Sequence, residues 1–372
     1  MSSETPMEEY RRGSARFDCG DHQQTSCNSP SLRYPLEEDI PSARGDIVMD
    51  SILYSTADNP VPENRTEGFF ETFDGRKLRY VVFRCEQPVA KGTVVVLQGR
   101  NEFIEKYFET IRDLTAKGLW VATFDLRGQG GSERLLKDPL RGHVRHFSDY
   151  ERDLSAFLEK IVLPDTRLPF YLLAHSTGAL IALSAAPRLT SRIERMVLSA
   201  PFVGLTGHGA SPGLVRFLSG TVSAVGLGRM QFSKKFKEKP FAENPLTTDE
   251  RRYRRNIAIG KTYPQLTLGP PTARWLLEAF RTIERVNSPE HLFSIAIPTV
   301  LIAPTRDGVV PYADQERLSR YFRAAQLVPV HGAKHEILQE RDVYRNAALA
   351  AINAFIPGSD AETNTDTAGV GI

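Results

Sequence analysis

A serine hydroxyl becomes a nucleophile when it is held on a sharp strand-to-helix turn, beside a base and within reach of donors for the charge it generates. The run Leu172-Leu173-Ala174-His175-Ser176-Thr177-Gly178-Ala179-Leu180 has the composition of such a turn. An apolar strand leads into Ser176, and a helix of small residues follows, with Ala179, Ala182, Ser184, Ala185 and Ala186. Small residues two before and two after the serine let strand and helix approach. Here they are Ala174 and Gly178, a G-x-S-x-G pattern with alanine at the first glycine. Taken alone, Ser176 also fits an ordinary helix N-cap, whose side chain accepts a backbone N–H.

A nucleophilic serine needs an imidazole base and a carboxylate that orients it, and with this turn they follow in the order Ser, acid, His. Asp307 stands in Pro304-Thr305-Arg306-Asp307-Gly308-Val309-Val310-Pro311, directly after the apolar run Thr299–Ala303. Two histidines follow the last strand-like run, in His331-Gly332-Ala333-Lys334-His335-Glu336. His335 lies in the loop before the final helix, where an imidazole can swing over a sheet edge; His331 abuts the strand and reads as a structural hydrogen-bonder. Singly, Asp307 is also a turn residue and His335 a helix-start residue. The order of all three at successive strand ends favours the triad. Charge on the carbonyl oxygen of a tetrahedral intermediate needs two donors. The backbone N–H of Thr177 is the first candidate and that of Arg100, after the turn at Gly99, the second. This chemistry uses no metal and no cofactor.

These residues require a sheet to hold them. The runs Thr93–Gln98, Leu119–Phe124, Phe170–Ala174, Met196–Ala200, Thr299–Ala303 and Ala325–Val330 read as strands apolar on both faces, as in a parallel sheet covered by helices. Amphipathic segments at Ile104–Lys117, Phe147–Val162, Ala179–Leu189, Tyr312–Arg323 and Ile337–Phe355 alternate with them. The expected fold class is therefore α/β, a mostly parallel doubly wound sheet. Gly68–Phe73 and Lys77–Arg84, joined by Asp74-Gly75, predict an antiparallel hairpin at one edge. From 202 to 290 the alternation stops, and helical patterns with loops predict a helical insertion. Residues 1–60 read as a disordered or loosely docked arm, in which Ile47–Leu53 can dock; 61–201 and 291–357 as the core, and 358–372 as a flexible tail.

Several stretches together resemble the serine α/β-hydrolases of the lysophospholipase and monoacylglycerol lipase type, most closely the bacterial lysophospholipases of that group. Gln98-Gly99-Arg100-Asn101-Glu102 is similar to their His-Gly-x-x-Glu oxyanion loop, with Gln98 in place of the histidine. Asp125-Leu126-Arg127-Gly128-Gln129-Gly130-Gly131-Ser132 matches their Asp-x-Arg-Gly-x-Gly-x-Ser turn, and Ala174–Gly178 their Gly-His-Ser-x-Gly elbow. Leu198-Ser199-Ala200-Pro201, the Asp307 loop and Gly332–Glu336 follow in order. The resemblance spans Gly68 to Phe355. It implies an α/β-hydrolase fold with Ser176, Asp307 and His335 as the triad, and makes the 202–290 insertion a cap over the pocket.

The expected reaction is hydrolysis of a carboxylic ester in a lipid-like substrate, a lysophospholipid or a monoacylglycerol, through an acyl-enzyme. Rival readings are another acyl hydrolase (carboxylesterase, thioesterase or proline-type aminopeptidase) and a non-catalytic binding protein on the same fold. In the insertion, Phe202, Leu205, Leu214, Val215, Phe217, Leu218, Val222, Val225, Leu227 and Met230 can line an acyl pocket or pack the insertion's own core. Lys234–Lys237 and Arg251–Arg255 can face anionic headgroups or solvent. Across Val203–Glu290 there are 14 Lys/Arg and 7 Asp/Glu, a net of +7 that leaves about −5 for the rest.

Composition excludes other classes. With 372 residues, 41% hydrophobic and 25% charged, the chain is neither collagen-like nor wholly disordered. A net charge of +2 gives no basis for nucleic-acid binding. Cys19, Cys27 and Cys85 form no CxxC, which argues against a disulfide framework or a zinc site. The first residues hold no apolar signal core and no run reaches the ~20 apolar residues of a membrane span. The expectation is a cytoplasmic protein, with peripheral contact at an anionic inner membrane face left open.

Overall fold

The computed structural model describes residues 51–205, 212–232 and 240–358. Eight strands, β1 (Arg65–Glu71), β2 (Lys77–Phe83), β3 (Thr93–Leu97), β4 (Trp120–Phe124), β5 (Phe170–His175), β6 (Arg195–Ser199), β7 (Thr299–Pro304) and β8 (Ala325–Val330), form one sheet. Its order is β1-β2-β4-β3-β5-β6-β7-β8. The β1–β2 and β2–β4 pairs are antiparallel and the rest parallel. Gly75, with φ +74°, makes the β1–β2 turn at the expected Asp-Gly. All residues of β3, β5 and β7 are buried, as valine- and leucine-rich runs between two helical layers must be. β8 departs from that expectation: most of it is partly or fully exposed because it is the edge strand, and Pro329, which has no N–H to donate, is tolerated there.

The helices are α1 (Phe108–Ala116), α2 (Ser148–Phe157), the single turn α3 (Leu163–Asp165), α4 (Thr177–Leu189), α5 (Pro212–Ala224), α6 (Glu250–Thr262), α7 (Ala273–Val286), α8 (Pro289–Phe293), α9 (Tyr312–Tyr321) and α10 (Asp342–Phe355). The core lies on both faces of the sheet. Phe124, Phe157, Leu172, Leu180 and Leu198 are buried on one face, and Phe83, Phe108, Val197 and Ile352 on the other. The expected helix Ile337–Phe355 is interrupted. A 3₁₀ turn, Ile337–Gln339, precedes extended Glu340 and then α10. The Glu340 carboxylate is fully buried and accepts the N–H groups of Lys334 (2.8 Å), Thr248 (2.9 Å) and Arg341 (3.1 Å), which a continuous helix would not allow.

Between β6 and β7 the described residues carry α5 to α8. Residues 51–60, grouped above with the arm, lie against the body: Leu53 is buried, Asn59 Nδ2 donates to the Glu105 carbonyl (2.8 Å), and Arg79 Nη1 donates to the Ile52 carbonyl (2.9 Å). Cys85 is buried, whereas Cys19, Cys27 and the run Lys234–Lys237 lie outside the described residues. Among the described residues no helix is long and apolar enough to cross a membrane.

The strand order puts the site where it is. From β3 the chain moves outward to β4 and then returns past β3 to β5, so the winding direction reverses between β3 and β5. In open α/β sheets ligands bind outside the carboxyl ends of the strands at such a reversal. Leu97 of β3 pairs with Ala174 of β5, which brings the Gly99 turn alongside Ser176.

Candidate active site

Ser176 follows β5 directly and has φ +51° and ψ −114°, a strained conformation for a residue with a side chain. Its side chain makes no capping hydrogen bond to α4, which decides against the N-cap alternative. Its Oγ lies 2.9 Å from His335 Nε2, and His335 Nδ1 lies 2.8 Å from Asp307 Oδ2. Asp307 Oδ1 accepts the N–H groups of Val309 (2.7 Å) and Val310 (2.9 Å), so the turn after β7 aims the other oxygen at the imidazole. The three side chains proposed from sequence thus meet in one relay. His331 is exposed at the end of β8.

The two small residues of the elbow have separate reasons. A Cβ at Gly178 would lie 2.5 Å from the Leu97 carbonyl oxygen, a backbone atom that cannot yield, so only glycine lets α4 start so close to β3. Ala174 lies within β5 itself, fully buried, where a methyl group is accommodated. Neither the Thr177 nor the Arg100 backbone N–H has an acceptor among the described residues.

The loop from Gly99 to Glu102 is held by residues whose role the sequence does not reveal. Glu102 Oε2 accepts the Gly99 N–H (2.5 Å) and the Tyr107 hydroxyl (2.7 Å). Gln129 donates to the carbonyls of Gly99 (2.9 Å) and Glu102 (3.2 Å) and accepts the Asn101 N–H (3.3 Å). Asp125, at the head of its turn, accepts from Arg79 Nε (2.7 Å), the Ile104 N–H (3.0 Å) and the Gly131 N–H (2.6 Å). The one signal for them in the chain is that Glu102, Asp125 and Gln129 fall inside the stretches that carry the family resemblance. Gln98, where the resemblance has histidine, is fully buried. Its amide is satisfied with the nitrogen toward Asp125 Oδ1 (3.2 Å) and the oxygen toward the Ile104 N–H (3.2 Å) and Thr123 Oγ1 (3.3 Å), which gives it a packing role.

A buried ion network lies beneath the relay. Lys106 Nζ is 2.6 Å from Glu102 Oε1 and 2.7 Å from Glu336 Oε1, and so connects the Gly99 loop to the residue after His335. Burial opposes the Glu102 charge, yet Lys106, with His175 and the Tyr107 hydroxyl, holds its pKa down at about 2. His175 Nδ1 lies 3.2 Å from the Ser199 carbonyl, and its Nε2 lies 3.8 Å from Glu102. Burial pushes the His175 pKa down to about 4 against the pull of Glu102.

These shifts set an acid limit on stability. His175 takes a proton near its ordinary 6.5 when unfolded but only near 4 when folded, so its contribution is complete above about pH 6.5 and is lost toward 4. Glu102 contributes above about 4.5 and loses that contribution toward 2. The expected result is a Tm that begins to fall below about pH 6.5. In the His175→Asn protein the decline starts about two pH units lower. Calorimetric Tm values over this range, for both proteins, test it; identical profiles refute it.

The basic run Arg251–Arg255 divides. Arg252 and Arg255 are buried: Arg252 Nη2 pairs with Glu109 (2.6 Å) and Asp342 (2.7 Å), and Arg255 Nη1 with Glu109 (2.6 Å). Arg251 and Arg254 remain exposed. The expectation that the whole run faces headgroups or solvent is corrected, because half of it ties α6 to α1 and α10. Likewise Leu214, Phe217, Leu218, Val225, Leu227 and Met230 neither line a sealed pocket nor pack a core; they are 44–70% exposed. Phe202 is buried and stacks on Trp275, with ring centroids 6.3 Å apart.

Known proteins agree with this architecture. Residues 88–342 match the serine aminopeptidase S33 family. Lysophospholipase L2 of Escherichia coli K12 is 34% identical over 311 residues, covering 78% of this chain and 87% of that protein. Probable lysophospholipase L2 of Haemophilus influenzae is 31% identical over 299 residues, 77% of this chain and 93% of its own length. Among solved structures, a monoglyceride lipase from Saccharomyces cerevisiae superposes with a TM-score of 0.65 at 19% identity, over 80% of this chain and 97% of that one. A carboxyl esterase from Bacillus coagulans gives 0.65 at 20%, over 80% and 99%. The structures establish the α/β-hydrolase fold, and the family match with the sequence identities establishes that the chain belongs to the serine α/β-hydrolases of the S33 family, in their lysophospholipase group.

Proposed function

We propose that this enzyme hydrolyses the carboxylic ester of a lysophospholipid or monoacylglycerol through an acyl-enzyme on Ser176. The observation that carries the reading is the relay Ser176–His335–Asp307, at 2.9 and 2.8 Å, on a serine held at φ +51°. His335 takes the Ser176 proton as Oγ attacks the ester carbonyl carbon. Asp307 keeps the imidazole in the tautomer that presents Nε2 and stabilises the imidazolium. The oxyanion forms between the N–H groups of Arg100 and Thr177, each worth about 10²–10³ in rate where such donors have been removed. His335 then protonates the departing alcohol, the acyl group stays on Oγ, and a water activated by His335 releases the fatty acid. The test is labelling with a fluorophosphonate, which reacts only with an activated serine, followed by rates on lysophospholipid, monoacylglycerol and short nitrophenyl esters. A chain that takes no label and turns over none of them is not this enzyme.

Residues 202–290 act in this reading as a cap that delivers the substrate from a lipid surface. Support comes from the exposed apolar side chains of α5 and the turn after it, Phe217 at 65%, Val225 at 70% and Leu227 at 50%, which a protein meeting only water has no reason to present together. Arg251 is exposed and lies 3.9 Å from its carboxylate partner Glu109, so it adds attraction to an anionic surface, whereas Arg254 is held closer to Glu250 (2.6 Å). The double change Phe217→Asp and Leu227→Asp is expected to lower sedimentation with anionic vesicles by roughly 10-fold or more. Hydrolysis of a water-soluble ester by the same protein separates surface binding from chemistry; equal losses in both assays count against a membrane role.

A further inference from the structure

Arg100 carries a charge that no carboxylate among the described residues answers. The five described buried arginines, Arg79, Arg127, Arg252, Arg255 and Arg345, each face a carboxylate. Arg100 faces none. Its Nη2 donates to the Gly269 carbonyl, its Nε is sealed from solvent with no acceptor, and its guanidinium carbon lies 5.4 Å from the centroid of the Trp275 ring. Burial lowers its pKa to about 10, which leaves it protonated at neutral pH. Burial, with smaller effects from Arg229 and Arg274, pushes the pKa of neighbouring His143 down to about 4, so that imidazole supplies no charge beside Arg100 at neutral pH.

Position gives this cation a use. The Arg100 backbone N–H is the proposed oxyanion donor, so its side chain starts at the reacting carbonyl. Trp275, on which the guanidinium lies, stacks on Phe202, whose N–H donates to the Ser176 carbonyl (3.1 Å). The guanidinium packs directly against Gly142, where a side chain would collide with Nη2. In a lysophospholipid the phosphate lies one glycerol length from the scissile carbonyl, and this guanidinium lies one side-chain length from the oxyanion donor. Guanidinium is the side chain best matched to phosphate, through parallel charge-assisted hydrogen bonds.

We propose that the Arg100 side chain binds the phosphate of a lysophospholipid headgroup, and that this contact selects the phosphate-bearing ester over a neutral monoacylglycerol of the same chain. The inference rests on the acyl-transfer reading above and names which of its two substrates the site is built to hold. One residue then serves both ends of the glycerol, its N–H at the oxyanion and its side chain at the phosphate.

The experiment measures the ratio of kcat/KM for lysophosphatidylcholine to that for monoacylglycerol, with matched acyl chains, in the parent protein, Arg100→Gln and Arg100→Lys. A ratio cancels any loss that both substrates share through the oxyanion loop. The ratio should fall by roughly 10- to 100-fold in Arg100→Gln and by less in Arg100→Lys, which keeps the charge but not the fork. Fluorophosphonate labelling of Ser176 in each variant reports an intact site. An unchanged ratio in a labelled variant overturns the proposal while leaving the acyl-enzyme standing; absence of label in the parent protein overturns the acyl-enzyme itself. Should Arg100→Gln fail to fold, the parent protein decides: glycerophosphocholine should inhibit hydrolysis of a neutral nitrophenyl ester, and glycerol at matched ionic strength should not. Inhibition by inorganic phosphate but not by glycerophosphocholine assigns the site to free phosphate and overturns the headgroup role.

Discussion

Replacing Ser176 by alanine is expected to lower ester turnover by about 10⁴- to 10⁶-fold and to abolish fluorophosphonate labelling. The size follows from what is lost and what stays. Without Oγ no acyl-enzyme forms, while His335, Asp307 and the proposed N–H donors of Arg100 and Thr177 remain to orient a water, so a residue of catalysis persists. The fold should survive. Alanine keeps the Cβ that the φ +51° backbone already accommodates, and Ala200 holds φ 46° in the same structure. Initial rates on a nitrophenyl ester, with Tm measured on the same protein, separate lost chemistry from lost structure. Full activity in Ser176→Ala would sink the assignment of the nucleophile.

The second large effect is expected at Lys106, which touches no substrate. This one ammonium sits between Glu102 and Glu336, and all three side chains are no more than 10% exposed. Burial lowers the basicity of Lys106, but the two carboxylates raise its pKa overall, so the folded state keeps it charged. Lys106→Met leaves two buried carboxylates without their cation, and breaking a buried pair in this way typically costs about 3–5 kcal/mol. For a domain of this size that is a Tm lower by on the order of 10 °C. Rate should fall too, because Glu102 holds the Gly99 N–H and with it the turn that carries Arg100, the proposed oxyanion donor. Adding Glu336→Gln removes one of the stranded charges and should restore part of the Tm. A single variant that melts within about 1 °C of the parent protein would show that the network holds nothing.

The elbow is legible in the sequence because local covalent geometry dictates it. A serine between strand and helix needs small neighbours, and Ala174 and Gly178 supply them. The strands are legible from their apolar runs, except that an edge strand such as β8 carries the same residue types as a central one until its neighbours are known. Partners far apart in sequence are not legible. Nothing within Arg251–Arg255 distinguishes Arg252 and Arg255, which are buried against Glu109, from Arg251 and Arg254, which stay exposed; the helical spacing fixes the split only once α1 is known to lie beneath. Lys106 looks like a surface residue of an amphipathic segment until Glu336 closes over it. Glu340 interrupts the last helix through an N–H of Thr248, ninety-two residues earlier. Leu214, Phe217 and Leu218 of α5 read as lining or core because apolarity in a sequence implies burial, and here they stand in the open while Val215 packs on the core.

The pairing of Arg252 and Arg255 with Glu109 has a mechanical consequence. It bolts α6 to α1 and α10, so this part of the 202–290 segment cannot leave the body without separating buried charges. Ions in solution screen buried pairs far less than exposed ones. Salt that screens the exposed side chains of Arg251 and Arg254 therefore leaves this attachment in place.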